Sequence, residues 1–415
     1  MRIGEFPLVL VVSDSCISTA HGTGTIVLRH FSNYPKDKLS NAYCLETGDP
    51  AWPRSCRFKT VPARHSPMGI KATGIIARVY NPIVTGLGLN NLKYHRPVVF
   101  EPELTAIFNN SSPELVYSVS YSETGLGLTD YLCSGLPAHV PVIQYFLDYH
   151  IPPGISMDRY LRRVLNRATE IWAMTEEIAE AIRPLAQRLG KKIKLQPGFH
   201  LEMPITFKRE HRRIGPHFRC IVLGNFWMPP MAHVLKNIWG RVQARVPGLE
   251  PIRWLCHPRG VEEVKKVVGN LGPEIQYAGH FSGEELEQKI ADADLAIVPF
   301  NASSTSKSNY SRYSLPSRLT ELLAIGVPVF CIADATTPLA HYIKQNDLGI
   351  VFDGEDEEAL SKRLLEFMSD AEARRSASAR ARQFAKREFQ LKPFQDWLYA
   401  HLATLAAQRV DTDSI

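Results

Sequence analysis

The stretch Ser314-Leu315-Pro316-Ser317-Arg318-Leu319-Thr320-Glu321-Leu322-Leu323-Ala324-Ile325-Gly326-Val327-Pro328-Val329-Phe330 decides how the rest of the chain is read. It reads as loop, short helix, sharp stop and buried strand. Ser314 suits an N-cap, and Pro316 suits a first helical turn, where a missing N–H costs nothing. Leu319, Leu322 and Leu323 recur at helical spacing and form an apolar stripe. Gly326 stands where a left-handed residue closes a helix, and Pro328 forbids its continuation.

The other side of that helix carries the chemistry. Its first turn exposes backbone N–H groups, and the helix dipole adds partial positive charge, which together suit a phosphate. Arg318 adds a forked cationic donor from the same turn. Glu321, three residues on, can accept bonds from two neighbouring hydroxyls. Phosphate donors beside a diol acceptor describe a site for a nucleoside diphosphate and its ribose. The plain alternative is a solvated Arg–Glu pair on a packed helix, and so short a motif does not by itself exclude it.

The stretch resembles the C-terminal donor motif of retaining, two-domain glycosyltransferases, namely glycosyltransferase family 4 and its group 1 relatives. Their pattern of Pro-Ser-Lys/Arg, Glu, Ala, Gly and Pro-Val is matched by Pro316-Ser317-Arg318, Glu321, Ala324, Gly326 and Pro328-Val329. The order of features before it is also similar: Leu223-Gly224, Pro229-Pro230, Leu255 to Pro258, Gly279-His280-Phe281 and Asp292 to Pro299. Residues 218 to about 390 follow this order, about the size of one domain. The N-terminal half resembles the family only through its first loop and the Pro141-Val142-Ile143 strand running into Asp148. The resemblance implies an α/β chain of two Rossmann-like doubly wound domains facing a central cleft, the GT-B fold. An acceptor-binding domain would span residues 1–205, with a returning C-terminal helix over 391–410, and a nucleotide-sugar-binding domain residues 206–390.

Composition agrees with two soluble domains. A chain of 415 residues exceeds one ordinary core, and 45% hydrophobic with 22% charged residues is ordinary globular usage. The net charge of +6 permits acidic partners such as nucleotides without demanding any. Seven cysteines without a C-x-x-C pair point to reduced thiols in a cytoplasmic protein, not to a disulfide framework or zinc site. The apolar run Leu8–Val12 is too short for a signal sequence and reads as a first strand. No stretch approaches the ~20 apolar residues of a membrane span. Nucleic acid is not an expected partner, since no basic patch is interleaved with aromatics.

Along the chain, strands are expected at Leu8–Ser13, around Arg57–Val61, and at Pro97–Phe100, Leu115–Ser120 and 141–147, with residues 41–75 otherwise irregular. The loop His21-Gly22-Thr23-Gly24 leads into an apolar segment over Thr25–Phe31, and its glycines would let a ligand approach the backbone. Gly86-Leu87-Gly88 and Gly125-Leu126-Gly127 lack the strand–helix fingerprint and read as less telling. A helix over Met157–Ala168 carries Arg159, Arg162, Arg163 and Arg167. It reads as a solvated face, or as a peripheral contact with an anionic membrane. After a polar linker at 201–217, strand and helix alternate from Phe218 onward, which predicts a parallel sheet. Phe394, Trp397, Leu398, Leu402 and Leu405 give the final helix one apolar stripe.

The resemblance carries a function with it: transfer of a sugar from a nucleoside diphosphate sugar to an acceptor hydroxyl, with retention and without a metal. Asp292-Ala293-Asp294 precedes a buried strand and reads as a turn, not a metal motif; Asp411-Thr412-Asp413 lies in a terminal tail. Charge growing on the leaving phosphate falls to Arg318 and the N–H groups at Ser317 and its neighbours, with Leu315 and Pro316 shaping the donor turn and Lys307 or Arg312 as weaker candidates. Glu321 would bind the ribose. Gly224, Asn225, His257 and His280 end strands on the ligand edge and would frame the nucleotide. His21, Gly22 and Gly24 would line an acceptor or phosphate loop, and Asp148 or His150 would contact the sugar or act as base.

Two positions depart from the family pattern. Tyr313 stands where a second glutamate is usual, and Leu147 where a histidine precedes the aspartate. These departures keep two other readings open: a non-catalytic nucleotide-sugar-binding partner subunit, and a sugar-nucleotide epimerase of the same architecture. The acceptor, the donor sugar and its nucleotide are not written in the sequence.

Overall fold

The computed structural model describes residues 6–19, 22–45, 50–52, 54–62, 98–102, 112–149, 155–202, 212–226, 229–301, 310–354 and 356–408. The chain divides into two compact units, one of Met1–Gly198 with Lys392–Ile415, the other of Phe199–Leu391. Each is built on its own sheet.

In the first unit, strands β1 (Val9–Ser15), β2 (Leu39–Leu45), β3 (Ser55–Pro62), β4 (Val98–Pro102), β5 (Leu115–Ser118), β6 (Val142–Phe146), β7 (Glu170–Ala173) and β8 (Ile193–Leu195) form an eight-stranded sheet. Its order is β4-β3-β2-β1-β5-β6-β7-β8. Pairings are parallel except for β3 with β4. Order reverses between β1 and β5, which makes their carboxyl ends the switch point where such folds hold ligands. Leu10, Val12, Val116 and Val142 pack one face against Leu128 and Leu132 of the helix Glu123–Ser134.

Strand β2 lies within what sequence reads as an irregular region, because a buried asparagine interrupts its apolar pattern. Asn41 is fully buried. Its carbonyl accepts from Ile17 N at 3.1 Å, and its amide donates to Val11 O at 3.1 Å and Ser13 Oγ at 2.9 Å. A buried amide so satisfied stitches β1 to β2 instead of marking a loop. The final helix, Leu391–Ala407, belongs to this unit: Tyr399 Oη donates to His30 O at 2.9 Å and buried Gln395 Nε2 to Arg29 O at 2.6 Å. Phe394, Leu398, Leu402 and Leu405 are buried, but Trp397 of the expected stripe is 36% exposed and stacks on His401.

The second unit has strands β9 (Cys220–Leu223), β10 (Ile252–Leu255), β11 (Ile275–Gly279), β12 (Leu295–Asn301), β13 (Val329–Ala333) and β14 (Gly349–Phe352). All are parallel, in the order β11-β10-β9-β12-β13-β14, with the switch point between β9 and β12. Val222, Trp254, Ile275, Ile297 and Ile332 face the helices Pro230–Arg245 and Glu357–Ser369 through Leu235, Trp239, Leu360 and Leu364. Asp294 is buried and holds the start of this sheet, accepting from Arg219 N at 2.9 Å and from Arg212 N and Nη1 at 3.2 Å. The Asp-x-Asp segment is thus structural at this position, while Asp411 and Asp413 lie outside the described residues. The helix Pro338–Gln345 and strand β14 were not singled out in the sequence, although Thr337 and Pro338 carry the cap and first-turn chemistry of a helix start.

The helix of the deciding stretch spans Leu319–Ile325 and is wholly buried. It starts later than the sequence suggests: Ser314 caps nothing, and Arg318 takes the cap position. The preceding residues fold into a turn in which Pro316 O accepts from Leu319 N at 3.0 Å and Ser317 O from Thr320 N at 3.2 Å. Gly326 ends the helix in the left-handed region at φ +82°. A Cβ there would also lie 3.0 Å from Ser378 O and 2.9 Å from Arg382 Cδ, and Ser378 Oγ donates to Gly326 O at 2.6 Å. Gly326→Ala is therefore expected to lower stability by about 2 kcal/mol or more, through a strained φ and a displaced neighbouring helix. Thermal unfolding checks this, and an unchanged midpoint would contradict it.

Candidate functional site

In the second unit, residues after three parallel strands meet the turn before Leu319. Gly224 follows β9 with φ +89°. Its N–H donates to Leu255 O at 2.8 Å, and its carbonyl accepts from Trp254 Nε1 at 2.8 Å. A Cβ on Gly224 would stand 3.3 Å from Arg318 Cγ, so the arginine stem lies over the glycine. Arg318 Nη1 is 4.0 Å from Glu321 Oε1, and Glu321 is only 6% exposed while Arg318 remains partly open. A carboxylate sunk in a helix flank beside a half-exposed guanidinium places an acceptor and a cation at one edge.

Asn225 turns toward the helix Pro258–Val268. A Cβ on Gly260 would lie 2.8 Å from Asn225 Cγ, so the glycine in the first turn makes room for the amide. Sequence reading overlooked Gly260 because it started this helix at 261, just after the glycine. His257 caps this helix, its Nδ1 accepting from Arg259 N at 3.3 Å. The rings of His257 and His280 meet edge to face with centroids 5.1 Å apart. Burial holds the His280 imidazole below its usual pKa, and His257 and Arg318 push in the same direction. Gly224, Asn225, His257, His280, Arg318 and Glu321 thus gather at the carboxyl ends of β9, β10 and β11. Leu315 is buried, Pro316 and Ser317 are half-buried beside them, and Lys307 lies outside the described residues. Arg312 is exposed and sits over the Tyr313 ring at 5.5 Å.

The first unit differs at its own switch point. Gly22 and Gly24 belong to the first turn of the helix Gly22–His30, not to a loop before it, and His21 lies outside the described residues. Asp14, at the end of β1, is 4% exposed. Its carboxylate accepts from Tyr121 N at 2.9 Å, from Ser122 N at 3.3 Å and from Ser122 Oγ. Burial raises its pKa, and these bonds with one from Gly125 N oppose the rise. The Asp14 carboxylate thereby occupies the N-terminal end of the helix Glu123–Ser134, a position that suits any anion. Asp148, half-buried after β6, lies near the half-buried Tyr121, whose phenol is hydrogen-bonded to the Thr23 side chain. His150 lies outside the described residues, and Leu147 is 2% exposed, a core residue.

Of the four arginines, Arg163 is exposed and Arg167 half-buried, and both have partners on neighbouring segments. Arg163 pairs with Asp130 at 3.1 Å, and Arg167 Nη2 donates to Pro137 O at 3.0 Å and Val140 O at 2.7 Å. Arg159 and Arg162 are exposed. No helix among the described residues is long and apolar enough to cross a membrane, and no cluster among them has the makings of a metal site. All seven cysteines are buried free thiols, and burial pushes Cys44 and Cys256 up to about 12.

Asp14 went unnoticed in the sequence, and Gly125, read there as less telling, has its Cβ position 2.6 Å from Asp14 Cγ. Gly125→Ala is expected to cost about 2 kcal/mol by forcing the buried carboxylate off its donors, and Asp14→Asn less, since the amide keeps the shape. Comparing the two denaturation midpoints tests the order; equal losses would refute it.

Residues 260–384 match the family described as Glycosyl transferases group 1. Among solved structures, HepE of Anabaena in complex with UDP aligns with TM-score 0.57 and 12% identity, over 95% of this chain and 99% of that one. Sucrose-phosphate synthase of Thermosynechococcus elongatus aligns with TM-score 0.58 and 12% identity, over 97% and 100%. The α,α-trehalose 6-phosphate synthase of Burkholderia multivorans aligns with TM-score 0.55 and 10% identity, over 98% of both. No curated relative matches the sequence closely enough to add to these.

Proposed function

We propose that this chain, which carries a glycosyl transferases group 1 domain in a protein of GT-B fold, moves a sugar from a nucleoside diphosphate sugar to an acceptor hydroxyl. The observation that carries the reading is the approach of Arg318 to Gly224 beside buried Glu321, at the carboxyl edge of a parallel sheet. Breaking the anomeric C–O bond places growing charge on the leaving diphosphate. Preorganised donors aimed at that charge lower the barrier more than they favour the bound donor.

Arg318 and the backbone around Ser317 are assigned to the diphosphate, without a metal ion. Glu321 is assigned to the ribose hydroxyls, and Asn225, His257 and His280 frame the nucleotide. In the first unit Asp148 is the candidate for sugar or acceptor contact. UDP is the first nucleotide to try, because HepE, of the same fold, was solved with UDP and with UDP-glucose. Retention of configuration rests on the family resemblance alone.

Calorimetric titration with UDP, GDP and ADP tests the donor site. One nucleotide is expected to bind in the micromolar range, with Glu321→Ala weakening it about tenfold, or 1.4 kcal/mol, and Arg318→Ala at least as much. Failure of all three nucleotides to bind would overturn the proposal. Affinity is also expected to fall as pH rises from about 6 to 8: a bound diphosphate offsets the charge of Arg318 beside His280, raises the imidazole pKa, and so takes up a proton. His280→Gln should flatten that profile.

A second reading, a nucleotide-sugar binder without turnover, draws on buried Leu147 and on Tyr313 at positions where the family carries polar groups. Asp148→Ala separates the two. An enzyme loses product formation while keeping nucleotide affinity, and a binder forms no product with either protein.

A further inference from the structure

The sheet of the second unit is covered unevenly. Strand alternation sends Cys220, Val222, Trp254 and Ile275 into the core, where long helices bury them. The same alternation turns Arg219, Ile221, Arg253 and Leu255 to the opposite face. Over β9, β10 and β11 that face lines a cavity of about 340 Å³, walled by the end of the nine-residue helix Gly283–Ala291. The cavity opens on the face of the sheet, among residues other than those that gather at the donor edge.

Its lining is sorted along the strands. Arg253 pairs in register with both Ile221 and Gln276, so these three share one level, with Arg219 two residues nearer the amino end. From Ile221 the apolar floor continues through Leu255 and Ala278, and Phe281 stands further along. Lys289 adds a third cation at the Phe281 end, its Nζ over that ring at 5.3 Å from the centre. Against three cations the lining offers one carboxylate, Asp292, at a loose 3.6 Å from Arg219 Nη1. Arg219 Nε is buried and has no hydrogen-bond partner among the described residues. Arg253 is shared with Glu250 outside the lining, at 2.6 Å.

We propose that this cavity binds a small phosphomonoester, with its dianion between Arg219, Arg253 and Lys289 and an apolar ring on Ile221, Leu255 and Phe281. With Asp292 and Glu250 counted against the three cations, one net positive charge faces an incoming anion. Guanidinium forks suit phosphate oxygens, and the volume holds a single-ring body. The site is independent of the donor reading and stands or falls apart from it.

Titrating the full chain with phenyl phosphate, glucose 6-phosphate and inorganic phosphate tests this. Phenyl phosphate is expected to saturate about tenfold more tightly than inorganic phosphate, because only the former covers the apolar floor. Glucose 6-phosphate should fall between the two. Arg253→Gln and Lys289→Met are each expected to weaken phenyl phosphate about tenfold, and Arg318→Ala to leave it unchanged. Ala278→Leu fills the cavity without touching a cation and should abolish binding; thermal melting of each variant shows that it is folded. Absence of saturation in the wild type would overturn the proposal. So would equal affinity for phenyl and inorganic phosphate, or binding that survives Ala278→Leu and disappears in Arg318→Ala.

Discussion

Parallel pairing is the constraint on which the second unit depends. Because β9 to β14 all run the same way, every strand ends at one edge of the sheet. The polar residue following each strand is then delivered to the same place, however far apart the residues stand in the chain. Gly224, His257 and His280 come from three successive strands, and the turn at Ser317-Arg318 comes from a fourth connection. The order reversal between β9 and β12 opens the space at that edge. Glycine is required at 224 because a positive φ and the Arg318 stem both exclude a side chain there.

The two units use one topology to opposite electrostatic ends. In the first, the position that a helix terminus offers to an anion is taken by Asp14, which accepts two backbone N–H bonds and a hydroxyl bond. In the second, the corresponding edge carries Arg318, with two histidines close by. A buried carboxylate that is already hydrogen-bonded has no call for an incoming phosphate, and it repels one. Fold alone therefore does not say where a nucleotide goes; the side chain at the strand end does.

Much of this was readable from local pattern. The helix–strand alternation after Phe218 and the Gly326 stop follow from periodicity and backbone stereochemistry, which act over a few residues. The two-unit fold was expected from the family resemblance. Arg318 and Glu321 were legible as a pair because they share a helix flank. The start of their helix was misjudged: Ser314 and Pro316 have capping chemistry, yet backbone bonds within a turn took precedence. Strand β2 was missed because Asn41 reads as polar, when its amide is bonded to β1 and the chain that follows it.

What the sequence determined by itself, then, was the alternation of elements, the motif around Arg318, and the absence of a membrane-length apolar run. Tertiary structure alone decided that Asn225 lies against Gly260, that Asp14 fills the terminus of a helix more than a hundred residues away, and that Arg167 is held by the carbonyls of Pro137 and Val140. It also decided that three cations and an apolar floor line one cavity. The physical reason is the same in each case. Propensity and periodicity are local, whereas burial and hydrogen-bond satisfaction depend on partners that only the folded chain brings within a few ångströms.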